Sequence, residues 1–233
     1  MLILPLGTHR EARSSPPLLT LLVCLVCIVL YFVMSPATKM AFAYDPRTLH
    51  VGHMISAAFL HADLSHLLGN LFFFYCFSST IEKEITAKGY VAIFLMFAVI
   101  THVAYSLMTK TILPSLGLSG VVWGFMGLFL ARFPFQRVDC FIWFLWIFRT
   151  IAVPAIVFVL GFLMMDIVGL RRNEPGINHV AHLSGFMGGL ILVGFWGVLE
   201  RDGGSLAAQA RARVRPSRVT TTLREPRRGH DWN

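Results

Sequence analysis

"SLGLSGVVWGFMG", residues 115–127, is the stretch on which the reading of the whole chain turns. It opens polar at Gly117-Leu118-Ser119-Gly120 and then runs apolar and glycine-rich through Trp123, Gly124 and Gly127. A lone serine between two glycines at the mouth of an apolar helix is by default a helix cap. It becomes a reacting group only if other segments bring partner side chains to the same place.

Outward from this helix, apolar runs near the ~20-residue length that spans a bilayer recur along the chain. They cover roughly residues 18–34, 62–81, 89–108, 118–133, 151–169 and 178–199. Of the 233 residues, 56% are hydrophobic and only 14% charged, against about 25% charged in ordinary soluble domains. So few charges cannot cover a water-facing surface. The runs are continuous, without the period-two alternation of a transmembrane barrel. No internal repeat points to an inverted-repeat transporter. The expectation is an all-α, polytopic membrane protein with six transmembrane helices. One membrane domain, 18–199, follows a cytoplasmic segment, 1–17, and precedes a basic tail, 200–233. The first apolar run follows Arg10 and Arg13 and is short, as in a signal peptide. The weak cleavage site in "VMSPATKM" favours a retained helix.

With the N-terminus in the cytoplasm, fifteen of the twenty Lys and Arg residues fall on inside segments, eight of them beyond residue 200. The positive-inside bias then places both ends in the cytoplasm, with Arg171 and Arg172 on an outer loop against the trend. The tail supplies most of the net charge of +8. It reads as disordered and drawn to anionic lipid headgroups, not to nucleic acid. The expected localisation is that of an integral, multi-pass protein of a bacterial plasma (inner) membrane. Cys24, Cys27, Cys76 and Cys140 lie in apolar stretches without zinc-type spacing and read as small buried hydrophobes. No metal and no cofactor is expected. "VDCFIWFLWIFRTIAVPA", residues 138–155, is aromatic-rich, carries Arg149 and is broken by Pro154. It reads as an interfacial stretch leading into span five. The long connection from Ser35 to about Leu60 reads as an outer-surface loop.

Polar groups inside a membrane are costly, so their placement is informative. "HADLSHLLGN", residues 61–70, puts His61, His66 and Asn70 at the outer end of span two. Ser119 opens span four, and "NHVAHLSGFMGG", residues 178–189, puts Asn178, His179 and His182 at the outer end of span six. His66 and Asn70 share a helix face, as do Ser119 and Trp123. Gly120, Gly124 and Gly127 form one small-residue stripe; His182, Gly185 and Gly189 form another. Such stripes let backbones approach closely, so spans four and six bring Ser119 to His182. A histidine in reach can take the serine proton. The helix N-terminus offers free N–H groups and positive potential to an oxyanion, and His66 and Asn70 add donors. His61 is expected to fasten its loop by hydrogen bonds. His50, His53 and His102 are expected at interfaces or in packing. The face of His179 continues through Leu183 and Phe186, which suits lipid or loose packing. Asp166, near the outer end of span five, reads as a capping or loop contact, with the acidic member of a Ser–His–Asp triad as the alternative reading.

These residues carry a family resemblance. The chain resembles the rhomboid intramembrane serine proteases in "GLSG" at 117–120, "AHLSGFMGG" at 181–189 and His61-x4-His66-x3-Asn70. The resemblance implies a Ser–His dyad with no acidic third member, Ser119 as nucleophile and His182 as base. It gives the oxyanion to His66, Asn70 and the Ser119 amide. Glu82, twelve residues after Asn70, looks like the family's structural glutamate. Trp123 stands where the family often has tyrosine and is expected to stack under His182. Arg47 in "YDPRTL" is a partial substitute for the family's Trp-Arg pair in the first outer loop. Gly117, Gly120, Gly185, Gly189 and His61 support the site. The implied substrates are transmembrane segments of single-pass membrane proteins, cut near the outer face. Two competing readings are a non-catalytic rhomboid-like protein that binds membrane helices and a haem or metal carrier using His61, His66, His179 and His182.

Overall fold

Helices form over the apolar runs. In chain order they are α1 Leu18–Val33, α2 Pro36–Phe42, α3 Val51–Ala57, α4 Leu64–Glu84, α5 Ala87–Met108, α6 Ser119–Arg132, α7 Ala155–Arg172, α8 His179–Leu192 and α9 Trp196–Leu199. A 3₁₀ turn, Val193–Phe195, joins the last two. The computed structural model describes residues 2–8, 16–109, 113–144 and 146–199. It divides the chain into two units, Met1–Arg201 and Asp202–Asn233. The expectations for the tail and for Arg10 and Arg13 lie outside the described residues. Of the described helices, α4 and α5 are long and apolar enough to cross a membrane, and α1, α6 and His179–Phe195 are shorter apolar helices.

The all-α expectation needs a correction. Three antiparallel strands, β1 Leu2–Thr8, β2 Arg137–Phe144 and β3 Ile147–Pro154, form a sheet in the order β1-β2-β3. The stretch expected to lie along the interface is therefore a hairpin, with Phe144 paired to Ile147. Its aromatic and β-branched residues suit a pleated surface better than a helix. The hairpin claims residues 151–154, so α7 starts after Pro154, which sits at its N-cap. β1 is an edge strand, where Pro5 is tolerated, and the register shifts between Pro5 and Gly7. Thr8 Oγ1 lies 2.9 Å from Thr80 Oγ1, tying the sheet to the C-terminal part of α4.

α6 is the centre of the bundle. Every residue from Gly120 to Leu130 is buried, as expected of a helix that is apolar all round. Phe74, Phe77 and Phe97 are fully buried around it, against its own Phe125 and Phe129. On one flank α6 meets α8 backbone to backbone. A Cβ on Gly185 would collide with the Gly120 carbonyl, and one on Gly189 with the Gly124 carbonyl.

Two further devices hold the frame. α1 has no side-chain cap of its own. The buried Glu82 carboxylate serves instead, accepting from the Leu19 N–H at 2.9 Å, the Thr20 N–H at 2.8 Å and the Thr20 hydroxyl at 2.7 Å. The long loop after α1 is not irregular throughout but contains α2 and α3. It is clamped to the segment before α6, because Tyr44 and Ser115 exchange backbone bonds of 2.9 and 2.8 Å and the Gly117 N–H donates to the Ala57 carbonyl at 2.9 Å. Arg47 spends its guanidinium on Asp45 within that loop, at 2.6 Å.

Candidate active site

α6 begins at Ser119, and the N-cap position belongs to Leu118, with no side-chain cap. The default role of Ser119 as a capping residue therefore does not apply. The first backbone donor to find an intrahelical acceptor is the Val122 N–H, which bonds the Leu118 carbonyl at 3.0 Å. The N–H groups before it are the orphan donors of the helix start. Gly117 enters this turn at φ +132°. The His66 ring lies where a Cβ would stand, 2.7 Å from Cε1 and 2.8 Å from Nε2, with Asn70 Nδ2 3.8 Å away. Only glycine accepts both that backbone angle and that ring.

α4 delivers His66 and Asn70. Its N-cap, Asp63, accepts from the His66 N–H at 2.8 Å and fixes the first turn. Asn70 is buried, and its Nδ2 has no hydrogen-bond partner among the described residues. Such an orphaned buried donor is uncommon and asks for a ligand. His61 meets the His66 ring edge-on, with centroids 5.2 Å apart. Neither His61 nitrogen is hydrogen-bonded among the described residues, so it is a buried wedge behind His66 and not the expected hydrogen-bonded fastener.

α8 delivers the remaining groups. Asn178 caps it, accepting from the Ala181 N–H at 3.0 Å, while its Nδ2 donates to Ser115 Oγ at 3.0 Å. One side chain thus ties the start of α8 to the segment that leads into Ser119. The His182 ring lies stacked on Trp123, with centroids 5.7 Å apart and planes 27° apart. Its Nδ1 is 2.8 Å from Asp166 Oδ1. His179 Nδ1 is 2.7 Å from the same oxygen. No hydrogen bond joins Ser119 to His182 among the described residues. The helices that carry them touch at Gly120 and Gly185, one residue beyond Ser119 and three beyond His182.

Two expectations are corrected here. His179 is buried against α7, its ring packed on Gly169, and does not face lipid. Phe186, on the same face, is buried as well. Asp166 is neither a cap nor a loop contact but the shared acceptor of two imidazoles. Burying either histidine without a partner is costly, and the carboxylate on the facing helix removes that cost. The donor atoms of Asp166, His179 and His182 lie within 4.8 Å of one another. Two imidazoles and a carboxylate are a possible zinc donor set. Their Nδ1 and Oδ1 atoms already bond each other, however, so the arrangement is that of a proton-bridged cluster. Sequence periodicity could not show that Asp166 takes two imidazoles or that Asn178 reaches Ser115, because those partners lie on other segments. The available signal was the ionisable residue itself, inside an apolar helix.

A rhomboid domain model matches residues 48–198, a range that holds every side chain described at this site. The chain belongs to the rhomboid family. Presenilin-associated rhomboid-like protein A, mitochondrial, of Danio rerio is 27% identical over 176 residues, covering 72% of this chain and 41% of its own length. Rhomboid-like protein 11, chloroplastic, of Arabidopsis thaliana is 30% identical over 157 residues, covering 60% and 50%. Rhomboid protease GlpG of Yersinia pestis (strain Pestoides F) is 28% identical over 205 residues, covering 80% and 65%. The chain spans between two fifths and two thirds of the length of these relatives. As a rhomboid it is a membrane-integral helical bundle, of a family that acts on transmembrane segments of membrane proteins.

Proposed function

We propose that this rhomboid is an intramembrane serine endopeptidase working through Ser119 and His182. In this reading α1, α4, α5, α6, α7 and α8 are six spans of a protease domain, 18–199, with both ends cytoplasmic. The hydroxyl oxygen of Ser119 attacks the scissile carbonyl carbon while His182 Nε2 takes the hydroxyl proton. The oxyanion is held by the Ser119 N–H, His66 and Asn70 Nδ2. His182 then returns the proton to the leaving amine, and water hydrolyses the acyl-serine. Trp123 supports the imidazole ring. Gly117, Gly120, Gly185 and Gly189 allow the close approaches, and His61 backs His66.

The observation that carries this reading is the buried, unpartnered Asn70 amide beside His66 and Gly117, at the uncapped start of α6. Donors converge there, and Asn70 Nδ2 has no acceptor among the described residues. The substrates are transmembrane segments of single-pass proteins, which must unwind locally because a spanning helix hides its carbonyls in its own hydrogen bonds. Membrane lipids are the other partners, through the basic tail, 200–233, in a bacterial plasma membrane. A fluorophosphonate probe tests the nucleophile. The wild type should be labelled at Ser119 alone, and labelling that survives in Ser119→Ala overturns the assignment.

A further inference from the structure

Asp166 sits on α7, outside every motif that points to the site. Its residue is only 7% exposed, and Oδ1 accepts at 2.8 Å from Nδ1 of His182 and at 2.7 Å from Nδ1 of His179. His182 is held on one flat side and one edge by different elements, with Trp123 stacked on the ring and Asp166 at Nδ1. A buried carboxylate is an acceptor only, so a bond to it requires the proton on Nδ1. In the neutral ring Nε2 is then bare, which is the form that can accept a proton.

We infer that Asp166 is the positioning residue of the catalytic base, a shared carboxylate that fixes the tautomer and orientation of His182. The inference rests on the proposed Ser119–His182 chemistry. When Ser119 Oγ bonds the scissile carbon, its proton passes to His182 Nε2, and the ring becomes an imidazolium that keeps its Nδ1–H on Asp166. The carboxylate stays ionised throughout and stabilises that cation. The proton leaves from Nε2 to the departing amine, so the ring ends the acylation half as it began. His179 contributes a second donor to Oδ1, which satisfies the buried anion while the imidazolium is absent and keeps the carboxylate aimed between the two rings.

Asp166→Asn separates positioning from packing, because the amide has the same shape. Its NH₂ can donate to Nδ1 and so accommodate the opposite tautomer, in which Nε2 carries a proton and is no base. Loss of the orienting carboxylate in a Ser–His–Asp site costs up to about 10⁴ in kcat, so a fall of that order or within two decades of it is expected. KM should not change, since the lost interaction acts in the transition state. The rate of fluorophosphonate labelling should fall by the same factor. Asp166→Glu, which keeps the charge, should regain part of the loss. A folded Asn variant with wild-type kcat overturns the inference. So does a loss that Glu does not relieve and that tracks thermal stability. Nitrogen NMR of His182 in the wild type needs no variant. The neutral ring should show Nδ1 protonated and Nε2 bare, and the opposite tautomer overturns the inference. Ser119→Ala and His182→Ala run alongside. If they remain active, the Ser–His reading itself has failed; if they are inactive while Asp166→Asn is fully active, only the role of Asp166 has failed.

Discussion

Asn70 carries its Nδ2 into the bundle, where it has no hydrogen-bond partner among the described residues. Asn70→Ala removes a donor without breaking a hydrogen bond of the resting protein, so the variant should fold. Its turnover should fall by about 10²–10³, the usual cost of one oxyanion donor. Initial cleavage rates at matched thermal stability check this, and an unchanged turnover number removes Asn70 from the site. At this scale the sequence was legible wherever partners share a helix. His66 and Asn70 lie four residues apart, and so do Ser119 and Trp123, so helical geometry alone aligns them. It failed where a side chain answers to another helix. His179 was assigned by its neighbours Leu183 and Phe186, but its position is set by Asp166 on α7. A wheel drawn for one helix cannot show that.

Among the elements, the contact of α6 with α8 positions the most. Their glycines place backbone against backbone, with the Gly120 carbonyl facing Gly185. Gly185→Val should force the helices apart, because the obstacle is a main-chain oxygen that cannot rotate away. Overpacking of this kind costs about 1–3 kcal/mol. The thermal transition in detergent should drop, and fluorophosphonate labelling should fall further than the folded fraction does. A variant with wild-type stability and labelling would show that the two helices do not meet as described. The longer helices α1, α4, α5, α6, α7 and α8 were visible as apolar runs, whereas α2 and α3 lie in the connection read as a loop, and the last run is broken by the 3₁₀ turn Val193–Phe195. The sheet was not visible. β1 and β2 are more than a hundred residues apart in the chain, and pairing across that distance leaves no local pattern. The hairpin of β2 and β3 is local, but its dense aromatics masked the period of a strand and read as an interface.

On the scale of the whole molecule, three long-range ties converge on one end of the bundle. Tyr44 and Ser115 pair across the first long loop, Gly117 is held by Ala57, and Asn178 bonds Ser115. They fix the segment before Ser119 relative to the first long loop and to the start of α8. At the other end of α4, Glu82 caps α1 and Thr80 meets Thr8. None of these ties was legible beyond the position of Glu82, because each joins short polar groups from distant segments. The central claim is that this frame delivers His182, and not the neighbouring His179, to Ser119 as its base. The direct measurement is the initial rate at which purified His182→Ala and His179→Ala cleave a model single-pass transmembrane substrate, at matched thermal stability. The account expects His182→Ala to be inactive and His179→Ala to keep substantial activity while melting earlier, since its ring fills the space over Gly169. An active His182→Ala beside an inactive His179→Ala would contradict it.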